Sequence, residues 1–270
     1  MHVLLTGAAS GIGRAIAERL IGEGHTVYAI DIAPAERLAG ALPFTADITS
    51  EPSLAAIRDT LRERGCVLDA IVNAAGVHAM LSLVEGDGAA MRRLIDVNVT
   101  GAMLVNRTFF PLLGERGRIV IVTSEVATLA PLPFNGLYSV SKCALDAYAQ
   151  ALRQELELLG HRVITVRPGA IETPLCRGSL TATEELARTT VLYRKQAGHF
   201  LALTRRFMGT PMKPEALARL VTRALTARRP RRVYHKHRSL GLLLLGMLPA
   251  SLQCTVIRWL LNRKAKEPRK

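Results

Sequence analysis

Three features of the sequence predict an α/β fold built on a doubly wound parallel sheet. Short apolar runs alternate with longer stretches of helical period, the pattern of strand, crossover helix, strand. The first run passes through a glycine-rich turn straight into a helix. Polar and small residues gather just after the apolar runs, and in a parallel sheet those positions share one edge, outside the strands' carboxyl ends. A chain of 270 residues can bury one full core, and the even scatter of apolar segments predicts a single domain with an appended tail.

Residues 3–6 form the first strand, ending in Thr6-Gly7-Ala8-Ala9-Ser10-Gly11-Ile12-Gly13, and 14–20 continue with helical periodicity. Gly7, Gly11 and Gly13, with Ser10 and Ile12 between them, let a backbone approach a diphosphate while the helix N-terminus offers N–H groups and a positive dipole end. The same turn also serves as a tight connection in proteins that bind nothing. Residues 25–30 read as the second strand, with Asp31 at its end, where an acidic residue meets the adenosine ribose in such folds. A carboxylate there repels a phosphate on the ribose, so NAD is favoured; Arg37 nearby is a cation that would admit NADP. Asp31 equally suits a turn or helix cap ahead of Pro34.

Residues 41–45 are a weaker third strand leading to Asp47 and Ile48, and Ser50 opens a helix through 64 with Pro52 in its first turn. Residues 67–72 form the fourth strand, closing on Asn73-Ala74-Ala75-Gly76. These small residues would let a flat ligand lie against the backbone, and they also pack ordinary turns. A long helical pattern spans 88–113 with Asn98 in its middle, where an amide disfavours helix. Residues 118–123 are the fifth strand, ending at Ser124, and 162–166 the sixth, followed by Pro168, Gly169, Ala170, Ile171, Glu172 and Thr173.

Between those strands, 136–159 form a helix carrying Tyr138 and Lys142 one turn apart on one face. A phenol in water loses its proton only near pH ~10, but a fixed ammonium and a cationic cofactor beside it favour the phenolate. Tyr138 is therefore the expected proton donor or acceptor. Two amphipathic side chains so spaced also commonly share nothing more than a solvated edge.

Lys and Arg number 36 against 22 Asp and Glu, a formal net charge of +14. Such a surface attracts anionic lipid, nucleic acid or acidic proteins, and the few aromatics and absence of a nucleic-acid module set nucleic acid aside. Cys66, Cys143, Cys176 and Cys254 lie far apart with no CxxC or paired histidine spacing, so reduced thiols, no metal site and a cytoplasmic setting are expected. The chain runs from Met1 directly into a strand, which predicts neither signal peptide nor N-terminal anchor.

Taken together, TGAASGIG at 6–13, Asp47, NAAG at 73–76, Asn98, Ser124, YSVSK at 138–142 and PGAIET at 168–173 resemble the short-chain dehydrogenase/reductase family over residues 1–235. The resemblance implies a Rossmann fold with a seventh strand at 231–235, hydride transfer between NAD(P) and an alcohol or carbonyl, and a homodimer or homotetramer. It implies Tyr138 as general acid/base, Lys142 holding the nicotinamide ribose, Ser124 bonding the substrate oxygen, and Asn98 anchoring a water that links Lys142 to solvent. Asp47 with Ile48 would meet the adenine, residues 73–76 would line the adenosine side, and Pro168, Ile171 and Thr173 would face the nicotinamide, Thr173 at its carboxamide.

One spacing departs from the family: its serine most often precedes the tyrosine by thirteen positions, the count Glu125 satisfies, whereas Ser124 lies fourteen before. A one-residue bulge in the following loop would restore Ser124. The segment 132–138 and the tail are similar to the hydroxysteroid and retinol dehydrogenase branches, implying a lipophilic alcohol or ketone substrate. Alternatives are a reductase of carrier-bound 3-oxoacyl groups and a catalytically weak cofactor-sensing binding protein.

The resulting organisation is a dinucleotide-binding domain over 1–238 and an apolar, basic helical tail over 239–270. Within the domain a helical stretch at 183–207 belongs to a substrate lid over about 174–213, with Leu192, Tyr193, Phe200, Leu201, Leu203 and Phe207 available to an apolar pocket. The tail's apolar run at 239–248 is too short for the ~20 residues a bilayer crossing needs. Two arrangements fit: a helix pair over 239–263 lying on a membrane surface with residues 242–245 dipping inward, or a tail packed over its own substrate cleft or a sister subunit. His235 and His237 make no metal site, because Lys236 opposes a cation and no third ligand is at hand.

Overall fold

The computed structural model describes residues 1–34, 38–207, 211–237 and 239–263, and of 206 and 207 the backbone alone. The strands are β1 His2–Thr6, β2 Thr26–Asp31, β3 Leu42–Thr45, β4 Leu68–Asn73, β5 Leu113–Val122, β6 Arg162–Pro168 and β7 Val233–Lys236. Among the described residues the α-helices are α1 Gly11–Gly22, α2 Glu51–Glu63, α3 Gly88–Ile95, α4 Ala102–Phe109, α5 Gly136–Glu157, α6 Pro174–Thr189, α7 Arg194–Phe207, α8 Pro214–Thr226, α9 Leu240–Gly246 and α10 Ala250–Asn262.

The strands form one sheet in the order β3-β2-β1-β4-β5-β6-β7, every pairing parallel. The central strands β1, β2 and β4 are apolar on both faces because helices cover both. One core packs α1 and α8 on the sheet through Ile16, Leu20, Leu217 and Val221, and the opposite core packs α2, α4 and α5 through Leu54, Leu61, Phe109 and Leu145. The winding reverses between β1 and β4, so the connections leaving these strands diverge and open a crevice at their carboxyl ends.

Several elements depart from expectation for identifiable reasons. The helix anticipated over 88–113 is interrupted by a π-helical turn, Asp96–Gly101, before α4, and Asn98 sits inside it with its side chain fully engaged. The stretch expected as one helix at 183–207 is the end of α6 and all of α7. The Glu85 carboxylate breaks it by accepting from the N–H groups of Val191 and Leu192, both at 2.9 Å. Residues 214–226, which the sequence reading left without an element, form α8, started by Pro214 and buried along the stripe Leu217, Ala218, Val221, Leu225.

A partly buried ion pair helps dock α5 on the sheet. Arg167, near the end of β6, grips Asp146 with two hydrogen bonds of 2.8 and 2.6 Å, and the Thr123 hydroxyl after β5 donates to the same carboxylate at 3.3 Å. A third small core, with Phe134, Leu186, Ala197, Phe200 and Leu261, joins the lid helices to α10.

Candidate active site

The crevice begins at the glycine turn. A Cβ on Gly7 would stand 2.7 Å from the backbone of Ala75, and one on Gly13 would stand 2.0 Å from the Gly7 carbonyl oxygen. Glycine at these positions lets the turn, the 74–76 segment and the start of α1 close on one another, leaving room for a ligand backbone-on. The Thr6 hydroxyl accepts from the N–H groups of both Ala74 and Ala75 at 3.3 Å, tying the ends of β1 and β4 together. The first-turn N–H groups of α1 precede the point where helical partners exist and form an anion-binding end.

From this turn a cavity of about 1140 Å³ runs to Tyr138. Gly7, Ser10, Gly11, Ile12, Gly13, Asp31, Asp47, Ile48, Ala74, Ala75, Gly76, Pro168, Ile171 and Thr173 all line it. Asp31 holds the Ala9 N–H at 2.9 Å and the Ala33 N–H at 3.0 Å, so it braces the glycine turn as well as lining the cavity. Arg37 lies outside the described residues. Asp47 accepts from the backbone and hydroxyl of Thr49, which hold its carboxyl below the usual range. Arg93 lowers it further and lines the same wall, a cation for which the sequence carried no signal. Thr173 packs on Gly11 and caps α6 at the Cys176 N–H, 3.1 Å.

Asn73 is the exception among the anticipated cofactor residues. Its side chain is buried away from the cavity and donates to Asn106 Oδ1 at 2.8 Å, so only its neighbours Ala74, Ala75 and Gly76 face the crevice. The cavity's glycine cradle, the helix end and the acidic residue at the tip of β2 suit an NAD(P) molecule in polarity.

At the inner end Tyr138 and Lys142 project from the first turns of α5, Lys142 buried and Tyr138 half-buried on the cavity wall, with the ammonium 5.7 Å from the ring centre. Lys142 Nζ donates to the Val122 carbonyl at 3.4 Å. The sequence expectation for the phenol includes a cationic cofactor as well as the lysine. In the protein alone burial dominates and pushes Tyr138 up to about 12, with the Ser124 hydroxyl beside it working the other way. The same burial brings Lys142 down to about 8.

Ser124, and not Glu125, is thus the residue at the phenol. The extra residue of spacing is absorbed in the loop before α5, where Phe134 adopts a left-handed φ of 66° and its ring packs edge-on to Tyr193 and Phe200. Glu125 also borders the cavity, and its Oε2 accepts from the Ser239 N–H at 2.7 Å. Asn98 clamps Val77 through its N–H at 2.8 Å and carbonyl at 2.9 Å and donates to the Ser141 hydroxyl at 3.1 Å. It therefore shapes the 76–77 backbone under Lys142.

His78 escaped the sequence reading although it directly follows the NAAG-Val stretch. Its ring stands edge-on to Tyr138, centres 4.6 Å apart, with Nε2 3.0 Å from Asn135 Oδ1. Burial first, then the nearby Lys142 charge, hold its basicity below normal.

Beyond Tyr138 the cavity wall is apolar and comes largely from the lid and the tail. Phe200 and Leu203 of the lid line it, whereas Leu192 is exposed, Tyr193 packs behind Phe134, and the side chain of Phe207 lies outside the described residues. Leu242, Leu245 and Leu248 with Val256, Ile257 and Leu260 complete the wall, so the inner face of the tail covers the chain's own cleft. No helix among the described residues is long and apolar enough to cross a membrane.

The comparisons agree with this geometry. The family model described as short chain dehydrogenase matches residues 1–184. Retinol dehydrogenase 5 from Homo sapiens is 32% identical over 290 residues, covering 98% of this chain and 90% of its own length. 3-Hydroxyacyl-CoA dehydrogenase type-2 from Bos taurus is 32% identical over 193 residues, covering 64% of this chain and 74% of its own. Among solved structures, a short chain dehydrogenase from Mycobacterium paratuberculosis bound to NAD superposes with a TM-score of 0.73 at 26% identity, covering 87% of this chain and 95% of that one. With the parallel sheet, the glycine turn and the Tyr138–Lys142 helix in their places, the chain belongs to the short-chain dehydrogenase family, a family of NAD(P)-dependent oxidoreductases acting on CH–OH groups.

Proposed function

We propose that the protein interconverts a lipophilic alcohol with its ketone or aldehyde, with Tyr138 as the proton-transferring group and NAD as the preferred cofactor. The observation that carries this reading is the meeting of Tyr138, Ser124 and Lys142 at the junction of a polar, glycine-rich half-cavity and an apolar one. The similarity to retinol dehydrogenase 5 along nearly the whole chain supports a lipophilic substrate.

Bound NAD(P) supplies the hydride acceptor or donor and, when oxidised, a positive charge near the phenol. The chain's own residues handle the oxygen and its proton. Ser124 and Tyr138 hold the substrate oxygen, and Tyr138, kept neutral by burial, donates to it in reduction. For oxidation the phenolate must be stabilised, and the Lys142 ammonium is the cation fixed nearby. Asn98, by holding the 76–77 backbone, keeps Lys142 and the ribose side of the crevice in register. Asp31 meets ribose hydroxyls and opposes a ribose phosphate, which supports NAD.

The outer face of the tail supports contact with an anionic lipid surface. Leu240, Met247, Leu252 and Trp259 are exposed, the Arg263 guanidinium lies 3.9 Å over the Trp259 ring, and Arg258 is exposed beside it. Leu252 and Trp259, two turns apart, share one side of α10.

Tyr138→Phe is expected to keep its NADH affinity, measured by fluorescence titration, and to lose at least ~100-fold in turnover of a lipophilic ketone; unchanged turnover would refute the mechanism. Asp31→Asn should move the ratio of NADP to NAD affinity upward by ~10-fold or more in thermal-shift titrations, and no change would remove Asp31 from cofactor choice. Lys142→Met should be inactive yet more stable near neutral pH by on the order of 3 kcal/mol, because a buried ammonium is replaced by a thioether. The folded-state pKa of Lys142 lies below its ordinary value, so its penalty is full below about pH 8 and fades as pH rises toward 10.5. Chemical denaturation across that window should show the gap closing, and a pH-independent gap would contradict the burial argument. Phosphatidylserine vesicles should sediment the protein more than phosphatidylcholine vesicles do, and Trp259→Asp should weaken that; equal sedimentation with both lipids would sink the surface assignment.

A further inference from the structure

Glu125 is a buried carboxylate next to the reacting site that the chemistry above does not use. It opens the short helical turn Glu125–Thr128 directly after Ser124, and its Oε2 accepts the Ser239 N–H at 2.7 Å. Ser239 is the residue that caps α9, its hydroxyl accepting from the Leu242 N–H at 3.4 Å. The carboxylate therefore meets the chain at the point where the tail begins.

The path from β7 to that point is built for the meeting. The Gly169 N–H donates to the Lys236 carbonyl at 2.8 Å, and His237 then takes a left-handed φ of 60°. A Cβ on Gly169 would lie 1.7 Å from the His237 oxygen and 3.0 Å from Glu125 Oε1, so the tail crosses β6's end in contact with bare backbone. A non-glycine residue in the left-handed region is costly and persists where its surroundings impose it. The far end of the tail is held too: the Leu261 carbonyl lies 2.6 Å from His199 Nδ1, and Gln196 donates to Asn262 at 2.7 Å. Between these two fixings lie the leucines that wall the substrate end of the cavity.

We propose that Glu125 is a positioning residue: by holding the Ser239 N–H it fixes the α9–α10 wall relative to Ser124 and Tyr138, and so sets the preference of the site for long apolar substrates over short ones. The inference rests on the oxidoreductase reading for its substrate arm and on geometry alone for its structural arm. A charged acceptor bonded to a backbone N–H at a helix start is one of the stronger hydrogen bonds a protein makes. Removing it frees the near end of the wall while α7 still holds the far end. The wall then moves away from Ser124, and substrates that depend on apolar contact lose most.

The test combines Glu125→Ala and Ser239→Pro with their double variant and Ser239→Ala. Proline suits the Ser239 φ of −77° and removes the donated N–H, whereas alanine keeps it. Hydrogen exchange of residues 250–262 should accelerate in Glu125→Ala and Ser239→Pro and stay near wild type in Ser239→Ala, which loses only the cap at the start of α9. The ratio of kcat/KM for a long-chain secondary alcohol to that for isopropanol should fall ~10-fold in the first two, through KM, with NAD affinity unchanged. The double variant should be no worse than Glu125→Ala alone, since the bond that Ser239→Pro breaks is already gone there. Unchanged exchange in both single variants, or additive losses in the double, would overturn the proposal. If the wild-type protein turned over neither alcohol, the reaction assigned above would fail while the exchange experiment still decided the role of Glu125. Should Ser239→Pro fail to fold, Glu125→Gln against Glu125→Ala carries the exchange comparison, the amide retaining an acceptor and giving the smaller change.

Discussion

The placement of the reacting groups depends on how α5 is seated, and the Asp146 carboxylate does that seating. It collects two hydrogen bonds from Arg167 and one from Thr123, so the helix is fixed against the ends of β5 and β6 by a single side chain within the turn after Lys142. The pair is partly buried, and breaking it would leave the remaining charge only partly hydrated against the sheet end. Because Thr123 adjoins Ser124, the same bond that seats the helix also registers the strand end carrying the serine. Tyr138 and Ser124 come from separate elements, and their proximity is a property of this docking and not of either element alone.

Burial then determines the resting chemistry. The sequence expectation has the lysine and a cationic cofactor together favouring the phenolate, against the loss of water around the groups. In the folded chain desolvation is the larger effect for both, raising the phenol and lowering the amine. The site rests as a neutral acid beside a weakened cation. A phenolate becomes affordable only with further positive charge in the crevice, which links proton transfer to the redox state of what the crevice holds.

Much of this was legible in the sequence, where position along a strand reports directly on the sheet edge. The glycine turn, Asp31, Ser124, Tyr138 and Lys142 all fall where the pattern of strand and helix puts them, and the order of strands follows from right-handed crossovers. What stayed illegible depends on contacts distant in sequence. Asn73 resembles a ligand residue by position but is drawn inward by Asn106, thirty-three places along. The break between α6 and α7 comes from Glu85, a hundred residues upstream. Asn98 was marked as anomalous for a helix, yet only the fold reveals the π-helical turn that accommodates it. The two arrangements offered for the tail divide by face: its inner leucines serve the chain's own cavity, and its outer ones remain exposed.

The path of the tail also bears on how the protein comes to life during synthesis. The dinucleotide crevice draws on strands up to β6, and the sheet is finished at Lys236, whereas the wall that encloses the outer half of the cavity emerges from the ribosome only afterwards. A nascent chain that has just completed its sheet already has the groups for proton transfer but presents them in an open trough, apolar and wet. Enclosure thus comes after completion of the sheet, and a chain interrupted between β7 and α10 would leave that apolar surface uncovered.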